Sequence, residues 1–339
     1  MKISSVLKPT ILAMTLAATS TSFAADKIVG SGSSFIYPVM TAWAKEFNKE
    51  NDVRIDYQSK GSGAGVRDML SNVVQFAASD SAMDSDEEAK VKGGAIFLPV
   101  TAGEVVISYN LKGLKDLKLS RDVYVDIFLG EIPRWNDKRI AADNPGVKLP
   151  DSKITVVTRS DSSGTTYAFT NHLNEVSAEW KEVIGKGKSV QWPKKSNFVA
   201  APRNDGVAAT IMQTPGALGY IEYGYAKVTG QPMASLENKD GYFVAPSAET
   251  GAAALANVEW PENLVAFAPD PSGENAYPIT TFSWMMLYQN NSDGTTAETM
   301  RNFAKYIVTD GQALSTKMGY IPVPDSLKAN MLAAIEKIK

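Results

Sequence analysis

The sequence predicts an α/β fold built as two domains with a ligand cleft between them, and three observations carry that expectation. Three short Gly/Ser segments, Gly30 to Phe35, Gly61 to Gly65 and Ser160 to Thr166, each open a stretch with helical apolar spacing. Short strand-like runs alternate with those helices, as in α/β architecture. With 24 of the 339 residues assigned to an export signal, 315 remain, enough for two cores at roughly 150 residues per domain.

The strand-like runs are Val53 to Tyr57, Gln75 to Ser79, Ile96 to Val100, Glu104 to Tyr109, Ile154 to Thr158 and Ala217 to Ile221. After the first Gly/Ser segment, Ile36, Met40, Trp43 and Phe47 fall on one helical face, with Pro38 in the first turn, where its missing N–H costs little. After the second, Val66, Met69, Leu70 and Val73 share a face; after the third, Phe169, Leu173, Val176 and Trp180 do. Helical patterns return in 297–309 and 325–337, separated by Gly311, Gly319 and the Pro322-Val323-Pro324 punctuation. The first two Gly/Ser turns precede residue 100 and the third lies near 160, which places them on different domains. A ligand touching all three sits in a cleft.

Residues 1–24 read as the export signal: Lys2 and Lys8 in a basic start, an apolar stretch from Ile11 to Ala18, and Ser22-Phe23-Ala24 as a small-x-small cleavage site, so the mature chain is expected to begin at Ala25. No later run reaches about 18 uninterrupted apolar residues, which argues against membrane insertion. The chain has no cysteine, hence neither disulfides nor a thioether-linked lipid, and a freely diffusing periplasmic protein is the expectation. Without Lys2 and Lys8, 32 basic residues face 37 acidic ones. A mildly acidic exterior argues against nucleic acid as a partner, and an anionic ligand must then be attracted by donors inside a pocket.

Helix starts carry unpaired N–H groups and the positive end of the dipole, so three of them aimed at one place make an anion trap. Arg159 precedes the third segment and offers a planar charged fork matched to an oxyanion, with Asp161 placed to orient it. The same run also reads as an ordinary helix cap, with Ser162 or Ser163 bonding the next turn. Gly61 to Gly65 lacks the last glycine of a dinucleotide fingerprint and fits equally a tight strand-to-helix connection. Asp80 ends a strand-like run. It is either a capping carboxylate or an acceptor that requires a proton on its ligand, which phosphate carries near neutral pH and sulfate does not.

His172 is the only histidine and is read as structural. One His, no Cys and no clustered acids at ligand spacing remove the basis for a metal site or a hydrolytic triad. Tyr220 to Tyr225 is read as core and domain-interface packing, and Arg203 to Gly206 as the cap of a short helix over 207–212.

In combination these motifs resemble the substrate-binding proteins of the bacterial ABC phosphate importers, from about Lys27 to the end. The matching stretches are Gly30 to Phe35 with Pro38-Val39, Tyr57 leading into Gly61-Ser62-Gly63, Phe76 to Asp80, Arg159 to Thr165, Asn204-Asp205-Gly206, and Gly219 to Ala226. Ser34 stands where the family often has Thr and keeps the hydroxyl; Ile36 stands where it often has Pro.

The resemblance implies the two-lobed periplasmic-binding-protein fold with two inter-lobe crossings: lobe I from 25–101 and 277–339, lobe II from 102–276. It implies phosphate contacts at Ser34, Phe35 (through its backbone), Ser62, Asp80, Arg159, Ser163, Gly164 and Thr165, with Asp161 orienting Arg159. Neither cofactor nor metal is implied. The expected partners are inorganic phosphate and the importer's membrane permease, and the expected state is a monomer that is not an enzyme. The alternatives are a secreted phosphate-ester hydrolase, a surface interaction protein, and a binder of another protonated tetrahedral oxyanion such as arsenate.

Overall fold

The computed structural model describes residues 26–339; the proposed signal segment and its cleavage site lie outside the described residues. Eleven strands are present among them: β1 (Asp26–Gly32), β2 (Val53–Ser59), β3 (Phe76–Ser79), β4 (Ala95–Tyr109), β5 (Lys118–Leu119), β6 (Thr155–Arg159), β7 (Phe198–Ala201), β8 (Ala217–Glu222), β9 (Ser235–Glu237), β10 (Phe243–Val244) and β11 (Thr280–Tyr288). Eight form one sheet in the order β2-β1-β3-β11-β4-β8-β6-β7, and β10-β9-β5 form a small second one.

The direction of the strands decides where a ligand can bind. β1, β2 and β3 are mutually parallel, and β11 is antiparallel to both β3 and β4. β1 to β3 therefore run the same way as β4. The first part of β4 pairs with β11 and its last five residues pair with β8, so β4 carries the chain from one half of the sheet into the other. β8 is antiparallel to β4, and β6 and β7 follow β8. The carboxyl ends of β1 to β3 thus point toward the second half, and those of β6 to β8 point back at the first. Ligand sites gather at such strand ends.

Two expected strands, 96–100 and 104–109, are one continuous β4. Pro99 has no N–H for the ladder, and the strand accommodates it with a register shift in the pairing with β11 between Ser283 and Trp284. β11 went unread in the sequence because all nine of its residues are buried, leaving no polar alternation to mark it.

The helices that follow the three Gly/Ser segments keep the apolar spacing with two corrections. The Tyr37–Glu50 helix has Pro in its first turn and buries Val39, Met40, Trp43, Ala44 and Phe47. Trp43 Nε1 donates to the Gly311 carbonyl at 2.7 Å, so this large ring is buried with its polar atom satisfied. The Ser62–Leu70 helix buries Val66 and Met69, but Val73 is 62% exposed. Asn72 adopts a left-handed φ of 54° and turns the chain, leaving Val74 to face the core. The third helix stops at Val176 because Ser177 is extended and caps a new helix, Ala178–Val183, accepting from Trp180 N at 3.1 Å. Trp180 is buried from that second helix rather than as a continuation of the first.

Candidate anion-binding site

Every residue singled out for ligand contact lies at the seam between the two sets of strand ends. Ser34 and Phe35 follow β1, Ser62 follows β2, and Asp80 follows β3; Arg159 ends β6, and Ser163, Gly164 and Thr165 start the Gly164–Val176 helix. Ser34, Ser62, Asp80, Ser163 and Thr165 are each at most 1% exposed, and Arg159 is 6% exposed.

Gly61 shows why small residues occupy the turn after β2. Its φ is +89°, a region L side chains rarely enter, and a Cβ there would strike the Asp161 carboxylate from the opposite half. The next residues approach as closely: Gly63 N donates to the Ser162 carbonyl at 3.0 Å.

Arg159 is held as a fork. Its Nε donates to Asp161 Oδ1 at 2.8 Å and its Nη2 to Oδ2 at 2.6 Å. Burial works to raise the Asp161 carboxyl, but the Arg159 hydrogen bonds and charge outweigh it and hold it below its usual value. The far side of the guanidinium reaches Thr165 Oγ1 at 3.3 Å and, across the seam, Ser34 Oγ at 3.4 Å.

Asp80 sits opposite. Ser33 Oγ lies 2.6 Å from its Oδ1 and 2.7 Å from Oδ2, Ser283 Oγ donates to Oδ1, and Ser62 Oγ lies 3.4 Å from Oδ2. Burial pushes this carboxyl up to about 6, against the hydrogen bonds from Ser283 and Ser33 and the charge of Arg159, which pull it down. At pH 7 it is mostly ionised and accepts only.

The Phe35 amide is at the site, but it donates to Ser33 Oγ at 2.9 Å. Ser163 Oγ accepts from Thr166 N at 3.0 Å as the helix cap, but Arg159 beside it is buried rather than solvated, unlike in an ordinary surface cap.

Two further residues of the seam, Ser33 and Ser283, carry no mark in the sequence, and a third, Asn204, reads there as a helix cap although it lies in a stretch that matches the family. Asn204 is fully buried, its Nδ2 donating to Ser34 Oγ at 3.0 Å and Thr165 Oγ1 at 3.1 Å, and its backbone N to Ser34 Oγ at 3.1 Å. The spacing predicts a cap before a helix over 207–212, but the helix runs Arg203–Gln213, and Arg203 takes a left-handed φ of 58° that swings Asn204 into the seam. Ser33 lay inside the first Gly/Ser segment without any mark to separate it from Ser34. Ser283 belongs to β11, which the sequence did not reveal.

Tyrosines close the rim. Tyr57 Oη donates to the Ser33 carbonyl at 2.9 Å and Tyr225 Oη, from the other half, to the Ser34 carbonyl at 2.8 Å. Tyr220 stacks on Phe169 with ring centroids 4.4 Å apart, and its hydroxyl lies 2.7 Å from Thr166 Oγ1. Outside the site, Lys188 Nζ bonds Glu87 at 2.8 Å between the halves. His172 is buried between Tyr124 Oη at 2.8 Å and the Pro269 carbonyl at 2.6 Å, and burial lowers it to about 4, so it is a neutral structural group. Among the described residues, no group of three or more His, Cys, Asp or Glu is placed to hold a metal ion, and no helix is long and apolar enough to cross a membrane.

Two halves with opposed strand ends, closing on one buried cluster of donors, define a two-lobed binding protein, and a family model described as a PBP superfamily domain matches residues 17–311. The chain is 39% identical over 307 residues to a phosphate-binding protein PstS of Xylella fastidiosa, covering 89% of this chain and 82% of that one. It is 38% identical over 324 residues to the PstS of Pasteurella multocida, covering 93% and 92%. A solved phosphate-binding protein from Stenotrophomonas maltophilia superposes with a TM-score of 0.74 at 21% identity, over 91% of this chain and 93% of that one. The chain belongs to the family of these phosphate-binding proteins.

Proposed function

We propose that the chain is the soluble periplasmic receptor of an ABC phosphate importer: it binds one inorganic phosphate with high affinity between its lobes and delivers it to the membrane permease. Lobe I comprises residues 25–101 and 277–339, and lobe II comprises 102–276. The observation that carries this reading is the meeting of Asp80 and Arg159, from opposite lobes, in one cluster that is at most 6% exposed.

The anion replaces internal acceptors. Arg159 and the hydroxyls of Ser34, Ser62 and Thr165 turn from their present partners to its oxygens, joined by the Ser163 hydroxyl, which keeps accepting from Thr166 N, and by the Phe35 and Gly164 amides. Charge-assisted hydrogen bonds contribute roughly 1.5–3 kcal/mol each, so several offset the dehydration of the anion. Ionised Asp80 accepts a hydrogen bond from the proton that phosphate retains. Sulfate presents an oxygen without one, and two opposed acceptors in a dry cleft reject it by about 10⁴ or more.

Because donors come from both lobes, the ligand binds the closed form better than the open one and shifts the population toward closure, the shape a permease can read. Enclosure also disfavours a hydrolase: the organic group of an ester has no place in a site this buried, and the curated relatives are named as binding proteins. Isothermal titration of the phosphate-stripped protein against phosphate, sulfate and arsenate tests the reading. Phosphate binding without any turnover of a chromogenic ester supports it; no heat on phosphate addition removes it.

A further inference from the structure

We infer that Ser283, on the return strand β11, is a specificity-determining positioning residue: its hydroxyl pins one oxygen of Asp80 so that the other remains the acceptor offered to the ligand. This rests on the reading of the cleft as a phosphate site and adds a residue to it.

The two carboxylate oxygens of Asp80 are not equivalent. Oδ1 receives Ser283 Oγ as well as Ser33 Oγ at 2.6 Å. Oδ2 lies 2.7 Å from the same Ser33 hydroxyl, whose single proton serves one oxygen at a time, and 3.4 Å from Ser62 Oγ. Oδ2 is also the oxygen that faces lobe II, 2.6 Å from where a Cβ on Gly164 would stand. The ligand side of Asp80 is therefore Oδ2, and the β11 side is Oδ1.

Ser283 is buried completely in a strand whose sequence, TTFSWMMLY, is otherwise mostly apolar. A hydroxyl there costs stability unless it is bonded, and Asp80 is the partner it finds. Thr281, two residues earlier on the same face, donates to the Asp80 carbonyl at 3.2 Å. β11 thus holds both the backbone and the carboxylate of Asp80.

A donor to the charged form favours that form. Without the Ser283 hydroxyl, Asp80 takes up a proton more readily, and a protonated Asp80 offers an O–H that sulfate can accept. The other groups acting on Asp80 or feeling its charge are Arg159, Glu222, Tyr57 and Tyr320. Glu222 is pushed up to about 8 and both tyrosines well above 10, chiefly by burial, so between pH 5 and 7 Asp80 is the member of this set that changes charge.

The test is titration calorimetry of the native chain, Ser283→Ala and Ser283→Cys with phosphate and with sulfate from pH 5.5 to 8. Ser283→Ala is expected to lower the phosphate-to-sulfate ratio at pH 7 about tenfold, through tighter sulfate binding, and to move the pH at which sulfate competes upward by about one unit. Ser283→Cys, nearly the same size with a weak S–H donor, falls between and serves if the alanine variant does not fold. An unchanged ratio at every pH, or equal weakening of both anions, overturns the inference. Absence of phosphate binding by the native chain would instead overturn the underlying reading.

Discussion

Gly164, at the first position of its helix, packs directly on Asp80 of the other lobe: a Cβ built there would lie 2.6 Å from Oδ2 and 2.7 Å from the Asp80 amide. The backbone atoms cannot move aside as a flexible side-chain tip would. Gly164→Ala is therefore expected to hold the lobes apart. Phosphate affinity should drop about a hundredfold or more, equivalent to roughly 2.7 kcal/mol, and small-angle scattering should show a larger radius with phosphate than the native chain gives. Native affinity in this variant would mean that closure does not bring these atoms together.

Asp80 makes selectivity depend on pH. Its carboxyl stands at about 6 in the fold, so below that pH it gains a proton and becomes a donor. The phosphate-to-sulfate ratio of the native chain should be high and flat above pH 7 and fall as pH is lowered through 6. Asp80→Asn should show a low ratio at every pH. Competition titrations at four or five pH values separate these profiles.

Glu104 links stability to pH. It lies on β4 where the chain crosses between lobes and is 2% exposed. Its Oε1 accepts from Thr250 Oγ1 at 3.0 Å and Ser247 N at 3.2 Å, while Oε2 has no partner. Burial is the main cause that pushes it up to about 8. The folded state then binds more protons than the unfolded one between about 4.5 and 8, so this group's contribution is complete below about 4.5 and is lost as pH rises toward 8. Thermal melts of the ligand-free protein should show Glu104→Gln with a smaller loss of Tm between pH 5 and 8 than the native chain. Parallel curves would show that Glu104 does not titrate in that range.

Asn204 should matter to both binding and folding. Its side chain ties Ser34 to Thr165 across the seam, and its Oδ1 accepts from Glu222 N at 3.0 Å. Asn204→Ala leaves a buried amide without its acceptor, which costs about 1–3 kcal/mol. The Tm should fall, and phosphate affinity should weaken about tenfold or more because Ser34 and Thr165 lose their common anchor. A neutral effect on both would assign Asn204 a passive place in the wall.

Much of the site was legible because its pieces are local. A Gly/Ser turn after a strand followed by an apolar stripe announces a helix start, and Arg159 with Asp161 two residues on announces a fork and its brace. Ser33, Asn204 and Ser283 were not legible. Ser33 looks like its neighbours in sequence. Asn204 owes its position to the left-handed Arg203, and Ser283 to a strand paired with residues some two hundred positions earlier. A motif describes neighbours along the chain, whereas these contacts are between neighbours in space.

By itself the sequence determined that a helix opens after each of the three Gly/Ser segments and that the donors there are small, hydroxylated and in one case cationic, because capping, backbone freedom and apolar spacing act over a few residues. Only the tertiary structure decided that those helix starts face one another. That outcome depends on β11 entering the sheet antiparallel between β3 and β4, and on β4 passing into the second lobe. These long-range pairings oppose the carboxyl ends of the two strand sets and bring Asp80 and Arg159 into the same buried cluster.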